Sequence, residues 1–131
     1  MEDCIIIKDD DMCLSISTDR KSLVKCHWCN GEILKLPQTI ENINPFAIAN
    51  FKHITTVILP PTLKNIGRGA FCECTSLNTV LFQNHKQEIS INKQAFWKCY
   101  SLENINLPSN IISISESCFE DCKNVTIQRI V

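Results

Sequence analysis

Apolar residues recur along this chain at a fixed spacing. The clearest copy runs from Ile54 to Cys74, with apolar positions at Ile54, Val57 and Leu59, proline at Pro60, further apolar positions at Leu63 and Ile66, then Ala70-Phe71 and Cys74. About 23 residues on, Leu77, Val80 and Phe82 restart the pattern, which resumes after a short insertion within Gln83 to Glu88 as Ile91, Ala95-Phe96 and Cys99. Another copy supplies Leu102, Ile105, Leu107, Pro108, Ile111, Ile114, Cys118-Phe119 and Cys122. An earlier one supplies Leu34, Leu36, Pro37, Ile40, Ile43, Ala47, Ile48 and Phe51, and Val125 opens a further unit.

Periods of 20 to 50 residues signal stacked repeats. The last two apolar positions of L-x-x-L-x-L lie two apart, so in a strand they share one face. One strand cannot bury that face alone, but stacked copies form a parallel sheet over a common core. Proline just past the strand costs no ladder bond. These features predict a right-handed leucine-rich-repeat solenoid, strand-dominated, with one short parallel strand per repeat. They place a helical or 3₁₀ turn at Ala-Phe-x-x-Cys and stack Phe71, Phe96 and Phe119 beneath the sheet. Gly67 and Gly69 are read as serving a turn with positive φ. Residues 1–31 are expected to form an N-terminal hairpin cap, including Ile5, Ile6 and Ile7, with a degenerate first unit. Residues 32–131 are expected to hold the repeats within the same domain.

The motif L-x-x-I-x-L-P-x-x-I-x-x-I-x-x-x-A-F-x-x-C closely resembles the BspA-like leucine-rich repeats of surface proteins from anaerobic bacteria and parasitic protists. The resemblance spans about residues 32 to 125. Leu14 to Lys25 also resembles the family's lead-in hairpin, with Arg20 where the turn usually has glycine. It implies adhesion or protein–protein binding.

At 131 residues and 44% hydrophobic content the chain suits one domain. A net charge of -1 without long charged runs gives no bulk attraction to nucleic acid or anionic membrane. Asp9, Asp10 and Asp11 read as an exposed turn. The start Met1-Glu2-Asp3-Cys4 lacks the basic and apolar regions of a secretory signal, and no stretch approaches the roughly 18 apolar residues of a membrane span. Taken with an odd nine cysteines, these features lead to the expectation of a cytoplasmic protein. A cell-surface location is expected instead if the chain is a fragment of a longer protein.

Cys74, Cys99 and Cys122 share one column and are expected to be buried as small hydrophobes, with Cys118 in an alanine slot. Cys72 is expected to be exposed and oxidisable. Cys26-His27-Trp28-Cys29 could bind zinc as a C-x-x-C pair, but a structural zinc needs two more ligands, and only Cys4, Cys13 and His27 are near in sequence. Counting repeats backwards puts Trp28 in the core and turns Cys26 and Cys29 away from it. His53 and His85 read as solvated loop residues, and Asn124-Val125-Thr126 fits a glycosylation sequon. No cofactor motif and no nucleophile–base arrangement is legible, so the expectation is a non-enzymatic protein.

Function is therefore sought on the sheet face that the core does not use. Its expected members are Ile33 and Lys35, Thr56 and Ile58, Thr79 and Leu81, Asn104 and Asn106, Ile127 and Arg129, a concave protein-binding surface with an apolar stripe. The alternative is a scaffold component that assembles, as a homodimer for example, through the unpaired strand ending at Ile130-Val131.

Overall fold

A computed structural model describes residues 3–84, 87–123 and 125–130, without the side chains at 129 and 130. Each repeat contributes two short strands where one was expected. The L-x-L segments form β4 (Ile33–Lys35), β6 (Thr56–Leu59), β8 (Thr79–Phe82), β10 (Asn104–Pro108) and β12 (Thr126–Ile130). The second apolar pairs form β5 (Asn42–Ile43), β7 (Asn65–Ile66), β9 (Ile89–Ile91) and β11 (Ile111–Ile114). Pro37 and Pro60 open tight turns between the two, in which Ile40 N–H donates to the Pro37 carbonyl and Leu63 N–H to the Pro60 carbonyl. The chain thus leaves one sheet and enters another, and each strand pairs in parallel with its equivalent one repeat away.

Three antiparallel strands, β1 (Cys4–Lys8), β2 (Met12–Ser17) and β3 (Ser22–Cys29), precede the repeats. They extend the second sheet to seven strands in the order β1-β2-β3-β5-β7-β9-β11. The β1–β2 turn holds the three aspartates: the Asp9 carboxylate accepts from the N–H groups of Asp11 and Met12, as an exposed turn requires. The β2–β3 turn forms despite Arg20, which adopts φ 65 where glycine is usual. Asp19 anchors it by accepting from Ser17 Oγ and Lys21 N–H, bonds that hold its carboxyl below the usual range.

The helical turn expected at Ala-Phe-x-x-Cys is absent, since none of the described residues is helical. Half of the segment's backbone N–H groups make separate i→i−3 turn bonds, Ala70 to Gly67, Cys72 to Gly69 and Cys74 to Phe71, and the other half go to a neighbouring coil. Phe46, Ile48 and Asn50 donate to the carbonyls of Arg68, Ala70 and Cys72, and Gly69, Phe71 and Glu73 donate to Lys93, Ala95 and Trp97. Alternate N–H groups are thus committed to the next coil, which leaves too few for a helix. Three coils turn two corners at residues with positive φ, Phe46 and Asn50, Gly69 and Glu73, Gln94 and Lys98, and the next coil turns one, at Asp121. Gly67 is not among them. A Cβ there would lie 2.5 Å from the Ile43 carbonyl oxygen, so its requirement is space rather than φ.

The core lies between these faces. Phe71 and Phe96 stack with ring centroids 5.3 Å apart at 3°, and Phe96 and Phe119 at 5.5 Å and 15°, as the shared column predicts. His85 and Asn124 lie outside the described residues.

Candidate functional site

The outer face of β4, β6 and β8 carries two columns. Ile33, Thr56 and Thr79 are in register in one, and Lys35, Ile58 and Leu81 in the other. Alternation explains the exposure, because Leu34, Leu36, Val57, Leu59 and Val80 take the opposite, buried face. Ile33 is 60% exposed and Leu81 46%. Ile58 is half-buried between them, with threonines and Lys35 around it. Asn104 and Asn106 are exposed on β10, which packs beside β8 but joins β12 in a separate ladder. The apolar part of this face therefore ends at Leu81.

Ile127 does not belong to it. β12 pairs with β10 so that Thr126 lies opposite Asn104, Ile127 opposite Ile105 and Gln128 opposite Asn106. Ile105 is buried, so Ile127 occupies an inward column, and a one-residue slip in the expected register had reversed it. Ile127 is 45% exposed because no described coil follows it. Arg129 is opposite Leu107 by the same register, and its side chain lies outside the described residues.

The cysteine motif is turned the other way from expectation. Cys26 and Cys29 are buried in the core, and Trp28 is half-exposed. Two irregularities in the β2–β3 pairing account for this, since Leu23, Lys25, Cys26, Trp28 and Cys29 are paired while Val24 and His27 are skipped. Each bulge adds one residue, converting an inward period of two into the spacing Leu23, Cys26, Cys29. Burial, together with neighbouring Cys29 and Cys13, pushes the Cys26 thiol up to about 12. Among the described residues no three His, Cys, Asp or Glu side chains are grouped to hold a metal ion. Cys72 is buried too, outside the main core and under the turn. Lys52 reaches across there to donate to the Glu73 carbonyl.

The Cys74–Cys99–Cys122 column has a feature that spacing alone did not reveal. Each thiol donates to a carbonyl of the preceding coil: Cys74 to Ile48 at 3.0 Å, Cys99 to Phe71 at 3.1 Å and Cys122 to Phe96 at 2.9 Å. Cys74→Ala removes the thiol bonded to the Ile48 carbonyl and is expected to cost about 1–3 kcal/mol in denaturant unfolding, with Cys74→Ser recovering part of the loss. Burial raises Cys74 and Cys118 to about 12 and raises Cys99 further. The protonated thiols are the form the fold favours. Their contribution is complete below the ordinary thiol value near 9 and declines as pH rises from 9 towards 12, so alkaline unfolding should fall in that window. Unfolding followed by circular dichroism in a pH series checks it.

The bulges also join Ser15 Oγ and His27 Nε2 in a hydrogen bond of 2.5 Å, a pair not legible in the repeat pattern. Ser15 is buried mid-strand, and no described group partners the other ring nitrogen, so the third member of a nucleophile–base–orienter set is missing. His53 is exposed, as expected for a loop residue, with its ring against the Cys29 carbonyl.

The fold and its repeat have known counterparts. A leucine-rich repeat protein from Bacteroides capillosus superposes with a TM-score of 0.75 at 19% identity, over 96% of this chain and 99% of that one. A leucine-rich cell surface protein from Faecalibacterium prausnitzii gives 0.66 at 22% identity, over 96% of this chain and 40% of its own. The pneumococcal vaccine antigen PcpA gives 0.76 at 18% identity, over 94% and 30%. The chain thus spans less than half of these last two proteins. Comparison with curated protein sequences finds no match. The model of the BspA type leucine rich repeat region matches residues 25–130 in six copies, from the last residues of the lead-in hairpin to the final strand. With two short strands, stacked phenylalanines and thiol-bonded corners recurring through that span, the chain belongs to the BspA-type leucine-rich-repeat family.

Proposed function

We propose that this chain is a non-catalytic protein-binding module whose contact surface is the outer face of β4, β6 and β8. The observation that carries the reading is the exposed pair Ile33 and Leu81 flanking Ile58, with threonine and lysine at the rim. Apolar side chains grouped on a stiff sheet supply desolvation energy, and polar neighbours supply selectivity. Adhesion is the setting this face suits best. The named cell surface protein among the structural relatives supports an extracellular location, and nine free thiols support a reducing one. In this reading the solenoid is right-handed and one domain, with residues 1–31 capping the repeats of 32–131.

The test is capture of partners from solubilised cell-surface protein on immobilised wild type, Leu81→Glu and, as a control on the opposite sheet, Asn65→Asp. A protein held by wild type and control but at least tenfold weaker on Leu81→Glu is expected, because a carboxylate buried without a partner in the contact costs more than the roughly 1.4 kcal/mol that tenfold represents. Equal retention by all three sinks the assignment. A second reading, scaffold assembly through β12, draws on the exposure of Ile127 and on β12 pairing with β10 alone in its sheet. Homodimers that Ile127→Lys converts to monomers would favour it.

A further inference from the structure

Asn30, Gly31 and Glu32 carry the chain from β3 in the seven-stranded sheet to β4 in the three-stranded one. Both ends of this short link are pinned. Asn30 N–H donates to the Asp11 carbonyl at 2.7 Å and Asn30 Nδ2 to the Asp10 carbonyl at 3.0 Å, so one residue ties the aspartate turn to the end of β3. On the far side the Glu32 carbonyl accepts from Thr55 and Thr56 N–H. Gly31, between them, is loose in one respect. Its carbonyl accepts from Cys29 Sγ, but its N–H has no hydrogen-bond partner among the described residues. A Cβ added there would meet no atom nearer than 3.9 Å. Asn30 is exposed, and it is the one asparagine of the chain that glycine follows. An asparagine Cγ and the nitrogen of the next residue are separated by the span of a five-membered ring. A side chain on that next residue crowds the nitrogen, whereas glycine leaves it open and lets the backbone reach the geometry of closure.

We propose that Asn30-Gly31 is a site of covalent self-modification that unfastens the aspartate turn from β3. The Gly31 nitrogen, its proton lost to hydroxide, bonds to Asn30 Cγ. The Cγ–Nδ2 bond breaks, and Nδ2 leaves as ammonia with a proton from water, which closes a succinimide. A second water opens the ring. Addition at Cγ breaks its bond to the Gly31 nitrogen and leaves an aspartyl residue. Addition at the main-chain carbonyl carbon leaves an isoaspartyl link, longer by one main-chain bond of about 1.5 Å. Either product lacks the Nδ2 donor that held the Asp10 carbonyl, because a carboxylate only accepts. It also sets a fourth carboxylate beside Asp9, Asp10 and Asp11, none of which has an ion-pair partner among the described residues. The isoaspartyl product does more, since a longer link between two pinned ends must shift the start of β4 or break the Asn30 bond to Asp11. None of this depends on what the outer face of β4, β6 and β8 binds, so either assignment can fail alone.

The experiment holds the folded, reduced full chain at neutral and at mildly alkaline pH and maps its peptides by mass, with electron-transfer fragmentation to separate aspartyl from isoaspartyl. The peptide holding Asn30 is expected to gain about one dalton, the difference between an amide and a carboxylic acid, and to gain it faster at the higher pH. Gly31→Ala has room for its methyl and should keep the wild-type circular dichroism while reacting about tenfold more slowly. If it does not fold, Asn30→Gln replaces it, because its longer side chain would have to close a six-membered ring. Hydrogen exchange should show the N–H at position 30 less protected once the chain is modified. Folded wild type that keeps the Asn30 amide until the urea-unfolded chain has lost it overturns the proposal. So does a mass gain confined to other asparagines, or a Gly31→Ala chain that reacts as fast as wild type. Unchanged protection at position 30 in the modified chain overturns the release of the turn.

Discussion

Phe96→Ala should lower unfolding stability by about 3–5 kcal/mol, the range for deleting a buried aromatic ring. The ring is fully buried and stacks on Phe71 at 5.3 Å on one side and on Phe119 at 5.5 Å on the other. Truncation therefore removes two aromatic contacts as well as the transfer energy of one ring. Relaxation is restricted because the backbone on both sides is tied coil to coil, Phe71 N–H to Ala95 and Phe96 N–H to Cys118. Phe119→Ala is the comparison. Among the described residues it stacks on Phe96 alone, and it is only half-buried, so its cost should be clearly smaller. Urea unfolding of the two variants beside wild type measures both. Equal losses would mean that the stack acts as one unit and that neighbour count does not set the cost.

How much was legible follows from which rule governs each residue. The repeat, the phenylalanine column and the outward positions from Ile33 to Asn106 depend on period alone, and a period is visible in one chain. The second sheet was not foreseen, because Ile43 and Ile66 sit in two-residue strands, too short to show alternation. The absence of a helix at Ala-Phe-x-x-Cys depends on which carbonyls lie opposite in the next coil, which local propensity does not encode. Cys26 and Cys29 were turned outward by counting through a strand whose two bulges carry no proline or glycine to mark them. A spacing of three between Leu23, Cys26 and Cys29 was the available signal, since repeated bulges produce it as readily as a helix does. Ile127 was misplaced for a related reason. At the last coil, Thr126, Ile127 and Gln128 offer no second inward residue of clear character, and pairing with β10 decides the register.

Gly67→Ala tests the closest coil-to-coil approach and should cost about 2–3 kcal/mol, at the upper end of the penalty for overpacking. The added methyl would lie 2.5 Å from the Ile43 carbonyl oxygen, 2.9 Å from Pro45 N and 3.0 Å from the Asn44 carbonyl carbon. All three are backbone atoms of the preceding coil, so no side chain can swing aside. Relief must come from separating the coils where Gly67 N–H donates to that same Ile43 carbonyl at 2.9 Å. Gly69→Ala differs in mechanism. There φ is 63 and the methyl would meet the Phe46 ring, which is exposed and can move, so the remaining penalty is largely that of a left-handed alanine, about 1–2 kcal/mol. Gly31, with no atom nearer than 3.9 Å to an added Cβ, serves as the control and should change little. The order Gly67, Gly69, Gly31 in urea unfolding is the expected result. If Gly69→Ala proved the costlier, corner geometry rather than coil spacing would be the tighter constraint on this repeat.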